Sequence, residues 1–492
     1  MRLFASILSA CLLFFTATAV EIDHAVFKAA SRCLGGASVT VKVNAANYCI
    51  VENTTGQGYA VITHRPDGSA RVLGYSTTSA WDEELMPPAV LEWLEHIASV
   101  ARLEEGSAID TASRVSVEPL LTCHWHQRSP YNDLAPVIED GNVKCVAGCV
   151  AIAAAQITYY WRKDNPEFTL EDTPIYPYGG APVTMSIPAG TPNDWDLMRD
   201  EYTDNDSADS RAAAARLCYV IGTTSYLNYA SSTSGQIYDA ANAINYQYCL
   251  LSDYRPKSQF TQEQWDSLLY QEVIHRRPVM CSGQGSGGHA FVLDGYDKAT
   301  GLFHFNFGWG GNGDGYYAID DSEDAMGGYY RSQSVVCNIH PEHRNITAQV
   351  SCRYVGGGTS KAQIQITNNS TLPIEGLSLY AVIPPAQFSA TQPPVWQGED
   401  VIPNDGTPCE ITINGLMLPD GNNILLYLTD ENGEVLAMCD LESSGTDEVT
   451  FNAAVEGKTV VYDLNGHQVK DLQPDNIYII NNGMTTKKVI IK

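Results

Sequence analysis

The chain has 492 residues, 44% hydrophobic and 17% charged, enough apolar material for two to four cores of about 100–200 residues each. That composition excludes disorder and fibrous structure. With 29 Lys+Arg against 57 Asp+Glu the formal charge is -28, a field that repels a phosphate backbone and argues against nucleic acid as a partner.

At the N-terminus, Arg2 is followed by an apolar run from Leu3 to Phe15 and then by Ala17-Thr18-Ala19. A basic end, a short apolar stretch and small residues at minus three and minus one read as a secretory signal over residues 1–19, cut after Ala19, with no integral membrane segment left after its removal. Export makes disulfides permissible, and loss of Cys11 reduces the 13 cysteines to twelve, which are either bridged or simply buried. None of them falls in a zinc-ribbon pair and no HExxH occurs, so neither metal nor other cofactor is expected.

Strand-like alternation follows over Val39–Val43, Tyr59–Thr63 and Arg71–Tyr75, and then Val90, Leu91, Leu94 and Ile97 recur at helical spacing. The polar, Ala/Ser-rich stretch from Leu103 to Val115 suits a cuttable linker and sets a boundary near residue 115. In the next block Gly148–Trp161 is predicted as a helix with Val150, Ala153, Ile157, Tyr160 and Trp161 on one apolar stripe, and Arg211–Ile221 and Trp265–Ile274 as two more. Strands are predicted at His289–Asp294, Leu302–Phe307 and Gly315–Ile319. Helices first and strands second make an α+β domain of two parts, with a site expected in the cleft between them. Beyond Pro341 six strand candidates at sandwich spacing, from Ala348–Tyr354 to Val435–Asp440, predict an Ig-like β-sandwich. Short strands at Thr459–Tyr462, Ile477–Ile480 and Val489–Lys492 make a small β tail suited to delivery or attachment.

Cys149 follows Gly148 and opens the first long helix, where unpaired backbone N–H groups and the helix dipole favour the reactive thiolate. A thiolate nucleophile needs a base, and His289 is the candidate. The glycines before it, Gly288 among them, let a substrate backbone come close, and the strand after it fixes the ring. His124, His126 and His304 are weaker candidates, His304 reading as a satisfied structural histidine. Asn306, where a strand runs into Gly308-Trp309-Gly310-Gly311, can accept the second imidazole N–H and hold the tautomer, with Trp309 or Phe307 as its cover. Gln127, an uncharged donor upstream, completes an oxyanion hole with the Cys149 N–H.

The order Gln127, Cys149, His289, Asn306 is that of papain-like hydrolases. The stretches Gln127–Asn132, Ala147–Ala151 with Ala155–Ile157, Arg277–Val279, Gly287–Gly295, Asn306–Gly311 and Asp314–Tyr317 closely resemble the streptopain family of secreted cysteine peptidases. The resemblance runs from about residue 45 to 340. It implies Cys149 as nucleophile, His289 as base, Asn306 as orienting residue and Gln127 as oxyanion donor, with Gly288, Ser234 and Trp309 facing substrate. Val72–Tyr75 through Met86–Pro88 and Trp93-Leu94 look like the family's propeptide, an inhibitor carried on the same chain. One departure is Phe307, where the family often has Trp. The tail, with Val461–Gly466 and Lys487–Lys492, resembles C-terminal sorting domains of type IX secretion cargo, and reads equally as a last β subdomain.

The expectation is therefore a secreted or cell-surface cysteine endopeptidase made as a zymogen, acting on protein or peptide substrates and exported with the type IX machinery as partner. Its parts are a signal (1–19), an α+β inhibitory propeptide (20–114), a papain-like two-part catalytic domain (115–341), the Ig-like sandwich (342–444) and a β sorting or anchoring segment (445–492). Two rival readings share these residues: an acyl-transferring or amidase enzyme on the same fold, and a non-catalytic adhesin-like binding protein.

Overall fold

The computed structural model describes residues 24–45, 47–64, 70–86, 88–99, 113–138, 143–285, 287–319, 328–356, 358–384, 386–419, 424–441, 460–462, 477–481 and 486–490. The signal and most of the 103–115 linker lie outside them. Among the described residues no helix is long and apolar enough to cross a membrane. The chain divides into two compact units, Met1–Tyr160 with Asn165–Glu342, and Trp161–Asp164 with His343–Lys492.

The first unit begins with helix α1 (His24–Cys33) and four strands, β1 (Val39–Asn44), β2 (Tyr48–Asn53), β3 (Tyr59–His64) and β4 (Ala70–Ser76), followed by α2 (Pro88–Ser99). Three of these strands match the alternation read from sequence. β2 was not predicted, because nearly all of it is buried and it shows no alternation to read. Next come α3 (Cys149–Tyr160), α4 (Ala208–Thr224), α5 (Ile237–Tyr248), β5 (Leu250–Pro256), α6 (Gln262–Ile274), β6 (Val279–Gln284), β7 (Gly288–Asp297), β8 (Leu302–Asn306), β9 (Gly315–Tyr317) and β10 (Arg331–Pro341). Helix α6 starts on a capping box in which Thr261 and Gln264 satisfy each other's backbone N–H groups.

All ten strands form one antiparallel sheet, ordered β1-β2-β3-β4-β9-β8-β7-β6-β10-β5. The strands of residues 39–76 therefore continue the sheet of the downstream block through β4 and β9, where Gly74 pairs with Tyr317 and Tyr75 with Tyr316. Period-two alternation assigns the sheet two faces. One carries Tyr59, Val61, Phe291, Phe305 and Tyr317 in a core shared with Trp93 of α2 and Phe307 after β8, and the other places Cys49, Val51, Ala60, Tyr75 and Tyr316 with Val26 and Ala30 of α1.

Helix α3 packs against α4, α5 and β7. It is buried from Val150 to Tyr159, so the single apolar stripe read from sequence is instead a helix enclosed on every side.

The second unit contains β11 (Ile346–Gly356), β12 (Thr359–Asn368), β13 (Ser378–Val382), β14 (Trp396–Gln397), β15 (Cys409–Leu416), β16 (Ile424–Thr429) and β17 (Val435–Leu441). They form two sheets, β11-β12-β15 and β14-β13-β16-β17, around a core that includes Ile364, Ile366, Leu379, Leu426 and Leu428. Strands β18 (Val460–Tyr462), β19 (Ile477–Asn481) and β20 (Thr486–Ile490) make a separate three-stranded sheet.

Candidate active site

Gly148 has a φ of 95°, and a Cβ there would come within 2.8 Å of Thr233 Cγ2. Only glycine fits this turn, and it delivers Cys149 to the first position of α3, with the Ile152 N–H bonded back to the Gly148 carbonyl at 3.0 Å. The turn is fixed on both sides. The Ala147 N–H donates to the Gln127 carbonyl at 3.0 Å, and Thr233 Oγ1 donates to the Val146 carbonyl at 2.7 Å. The Gln127 backbone is thereby held on the residue two before Cys149, and Gln127 itself is half-buried.

The backbone N–H groups of Cys149, Val150 and Ala290 face the Cys149 sulfur and draw its pKa down, but burial outweighs them and leaves the thiol above its ordinary value. Ala290 follows His289, so the start of β7 brings His289 and Cys149 into one place. His289 is 7% exposed. Its ring centroid lies 5.1 Å from that of Tyr329, 5.5 Å from Trp309 and 5.8 Å from Phe291. Burial pushes the imidazole down to about 4, against the opposing pull of the Phe307 carbonyl. In this arrangement both groups favour their neutral forms, unlike the thiolate that the helix start alone suggests.

His289 Nε2 lies 2.8 Å from the Phe307 carbonyl and 2.8 Å from Trp309 Nε1. The indole can only donate and the carbonyl can only accept, so the two contacts serve opposite tautomers of the neutral ring. The acceptor at this nitrogen is thus a backbone carbonyl one residue beyond Asn306. The Asn306 side chain points elsewhere: Oδ1 accepts from Gly308 N at 3.0 Å and from Gln156 Nε2 at 3.1 Å, and Nδ2 donates to the Cys123 carbonyl at 2.8 Å. Of the two aromatic candidates, Trp309 touches the imidazole. The Phe307 ring is buried against Phe291, Phe305, Tyr317 and Tyr329.

The Trp309 loop has its own supports. Asp314 accepts the Phe307 N–H at 2.7 Å and bonds His124 Nδ1 at 3.2 Å, an interaction that raises the His124 pKa. Ser79, on the segment after β4, donates to the Gly311 carbonyl at 2.7 Å. His304 bonds Asp294 at 2.6 Å, as a structural histidine should. The His126 backbone sits beside Gln127, and its ring accepts the Arg128 N–H at 3.2 Å. Gly288 and Ser234 are both exposed, and a Cβ on Gly288 would meet nothing within 4 Å, so space is open next to His289.

Two residues of the site escaped the sequence reading as functional groups. Gln156, fully buried two turns after Cys149, was legible as a polar residue inside an apolar helical run. Tyr329 carries no sequence signal, since only folding brings it to the imidazole.

Residues 125–317 match the model of the Peptidase C10 family. This region is homologous to the C10 cysteine peptidases and has their papain-like α+β fold. The streptopain of Streptococcus pyogenes serotype M28 is 28% identical over 339 residues, covering 61% of this chain and 82% of the streptopain. A thiol protease/hemagglutinin, PrtT, of Porphyromonas gingivalis is 26% identical over 74% of this chain, which spans 46% of that protein. Among solved structures, a fragment of prointerpain A from Prevotella intermedia superposes with a TM-score of 0.52 at 26% identity, covering 62% of this chain and 99% of the fragment. The region of C10 homology contains Gln127, Cys149, His289, Asn306 and Trp309, with the all-β sheets from β11 onward outside it.

Proposed function

We propose that this chain is a secreted cysteine endopeptidase made as a zymogen. The observation that carries the reading is the meeting, within a C10-homologous region, of a cysteine at a helix start with the histidine-bearing end of β7. His289 takes the proton of Cys149, and the sulfur attacks a peptide carbonyl. Gln127 and the Cys149 N–H hold the oxyanion, and protonated His289 delivers its proton to the leaving amine. Water, deprotonated by His289, then splits the acyl-enzyme and frees the thiol. Gly288, Ser234 and Trp309 border the peptide, and Asn306 acts on His289 through the loop it anchors.

Residues 20–114 act as the inhibitory propeptide. The continuous sheet through β4 and β9 and the neutral Cys149–His289 pair support a latent form. Residues 1–19 serve as export signal and 445–492 as a type IX sorting segment, whose small three-stranded sheet suits that role. The test is casein hydrolysis under reducing conditions by purified wild type and Cys149→Ala. Wild type shortens and degrades casein, and the variant does neither. Casein degradation by Cys149→Ala would reject the nucleophile.

A further inference from the structure

Helix α4 ends in a Schellman motif: the Leu227 N–H bonds the Gly222 carbonyl at 3.1 Å and the Tyr226 N–H the Thr223 carbonyl at 2.9 Å. The residue after the cap is Tyr226 at φ 52°, a left-handed position that glycine usually fills, yet the residue is 54% exposed. A large side chain kept at such a backbone without being buried points to a surface use rather than to packing. Tyr226 is not alone. The buried Tyr176 ring lies between it and Tyr178, with centroids 5.6 Å and 4.9 Å away, and Tyr178 is 55% exposed.

The cluster is rigidly built. Tyr176 donates its hydroxyl to the Leu227 carbonyl at 2.8 Å, and the Gly180 N–H donates to Asn228 Oδ1 at 2.7 Å. The same loop then runs to the nucleophile. Asn228 pairs with Ser234, and Thr233 packs on Gly148. Tyr226 precedes Leu227, whose Cδ1 would lie 3.2 Å from a Cβ on Gly148, so the platform stands within roughly 20 Å of Cys149, at most about six residues of extended peptide.

We propose that Tyr178 and Tyr226 form a distal subsite that stacks an aromatic or proline side chain of an extended polypeptide substrate, several residues from the bond being cut. The inference rests on the peptidase reading above. Tyrosine faces suit this task, because they offer broad contact at small entropic cost and tolerate varied sequence. Contact so far from the chemistry adds affinity for long chains and leaves the turnover of short ones alone.

The test uses matured enzyme and two substrates, a tripeptidyl coumarin amide too short to reach the platform and full-length β-casein. Tyr178→Ala combined with Tyr226→Gly is expected to lower kcat/KM on casein five- to thirty-fold while the tripeptide changes less than two-fold. Tyr226→Gly alone suits the backbone, so it is expected to keep or raise Tm while losing part of the casein efficiency. Tyr178→Phe with Tyr226→Phe is expected to keep both activities. Equal loss on both substrates, or no loss on casein, overturns the subsite. Failure of wild type to cut either casein or the tripeptide rejects the peptidase reading itself, and this inference with it.

Discussion

Gln156 donates its side-chain N–H to Oδ1 of Asn306 at 3.1 Å while its own Oε1 accepts the Trp125 N–H at 3.1 Å. Backbone donors and acceptors at both ends fix which way the two amides point, because Gly308 N must face an oxygen and the Cys123 carbonyl must face an N–H. The result is a closed polar ring, shut off from water, joining three elements: the segment leading to Gln127, the helix that begins with Cys149 and the loop that carries Trp309. Satisfied networks of this kind hold geometry more than they add stability.

Gln156→Leu would leave the Trp125 N–H and the Asn306 oxygen short of partners in the core, and each such loss costs about 1–3 kcal/mol. Urea unfolding is expected to show that loss, and matured enzyme a lower kcat with little change in KM. Gln156→Glu separates geometry from mere packing. A protonated Glu can still donate to Asn306 and a carboxylate cannot, so its activity is expected to survive on the acid side and fall as pH rises. Wild-type kcat in both variants would mean the ring does not position the site.

Trp309 aims its indole N–H at His289 Nε2, and an N–H aimed at a ring nitrogen disfavours its protonation. Trp309→Phe keeps an aromatic cover and removes that donor. His289 is then expected to titrate higher in the full-length protein, read by NMR on the imidazole, whereas Phe307→Trp alters a ring in the core and is expected to leave the His289 titration in place. An unmoved His289 titration in Trp309→Phe would exclude the bond.

Strands β1, β3, β4, β7, β8 and β9, helices α2, α3, α4 and α6, and the choice of Cys149 and His289 were legible because they depend on local pattern, period-two alternation, helical spacing and flanking glycines, whereas α1, α5, β2, β5, β6 and β10 were not predicted. The partner of His289 Nε2 was not, because a backbone carbonyl has no residue type to recognise. Asn306 was picked as the group that could accept the imidazole proton, and it has the right chemistry, but its amide is committed to Gln156, Gly308 and Cys123. The pairing of β4 with β9 was equally hidden, since Gly74 and Tyr317 meet only through a sequence separation that no local pattern reports.

The neutral Cys149–His289 pair sets a pH dependence for the full-length protein. His289 is held down at about 4 against an unfolded value near 6.5, so the unfolded chain binds more protons as pH falls through that window. Folding stability is therefore complete above pH 6.5 and drops toward pH 4, by up to roughly 3 kcal/mol from this group. Thermal unfolding of Cys149→Ala, which cannot process itself, checks the slope, and His289→Gln is expected to flatten it. With the thiol raised, iodoacetamide should modify the full-length protein slowly at pH 6 and matured enzyme much faster. Equal rates would mean that processing leaves the pair unchanged.

Gly74 lies where a Cβ would come within 2.7 Å of the Tyr317 ring, and that ring is pinned by bonds from its hydroxyl to Tyr59 at 3.0 Å and to the Gly313 carbonyl at 2.8 Å. Gly74→Val forces β4 away from β9 while leaving the site's own residues unsubstituted. If this pairing holds the propeptide in place, the variant is expected to shorten faster than wild type at equal concentration. Unaltered processing would show that the sheet junction does not limit release.

Arg114 marks where the propeptide should end. It is 7% exposed, paired with Asp266 of α6, and its guanidinium lies 4.5 Å from the Tyr270 ring centroid and 5.4 Å from that of Tyr296. The residues after it are tied down one by one. The Val115 N–H bonds Tyr270 Oη at 3.0 Å, Val117 pairs with Tyr296, and the Leu121 N–H bonds Asp294 at 2.8 Å. Cutting C-terminal to Arg114 would strip the cation from a buried carboxylate, and breaking such a pair costs about 3–5 kcal/mol. The mature N-terminus is therefore expected at or before Arg114, within the linker read from sequence between Leu103 and Val115, so that the propeptide drawn as 20–114 ends no later than residue 113. Arg114→Ala is expected to lower Tm and to let trimming continue toward Leu121, whereas Asp266→Asn with Arg114→Met, which removes both charges, should recover much of the stability. N-terminal sequencing of the matured protein decides it, and a wild-type product that begins at Glu118 would show that the Arg114–Asp266 pair does not set the boundary.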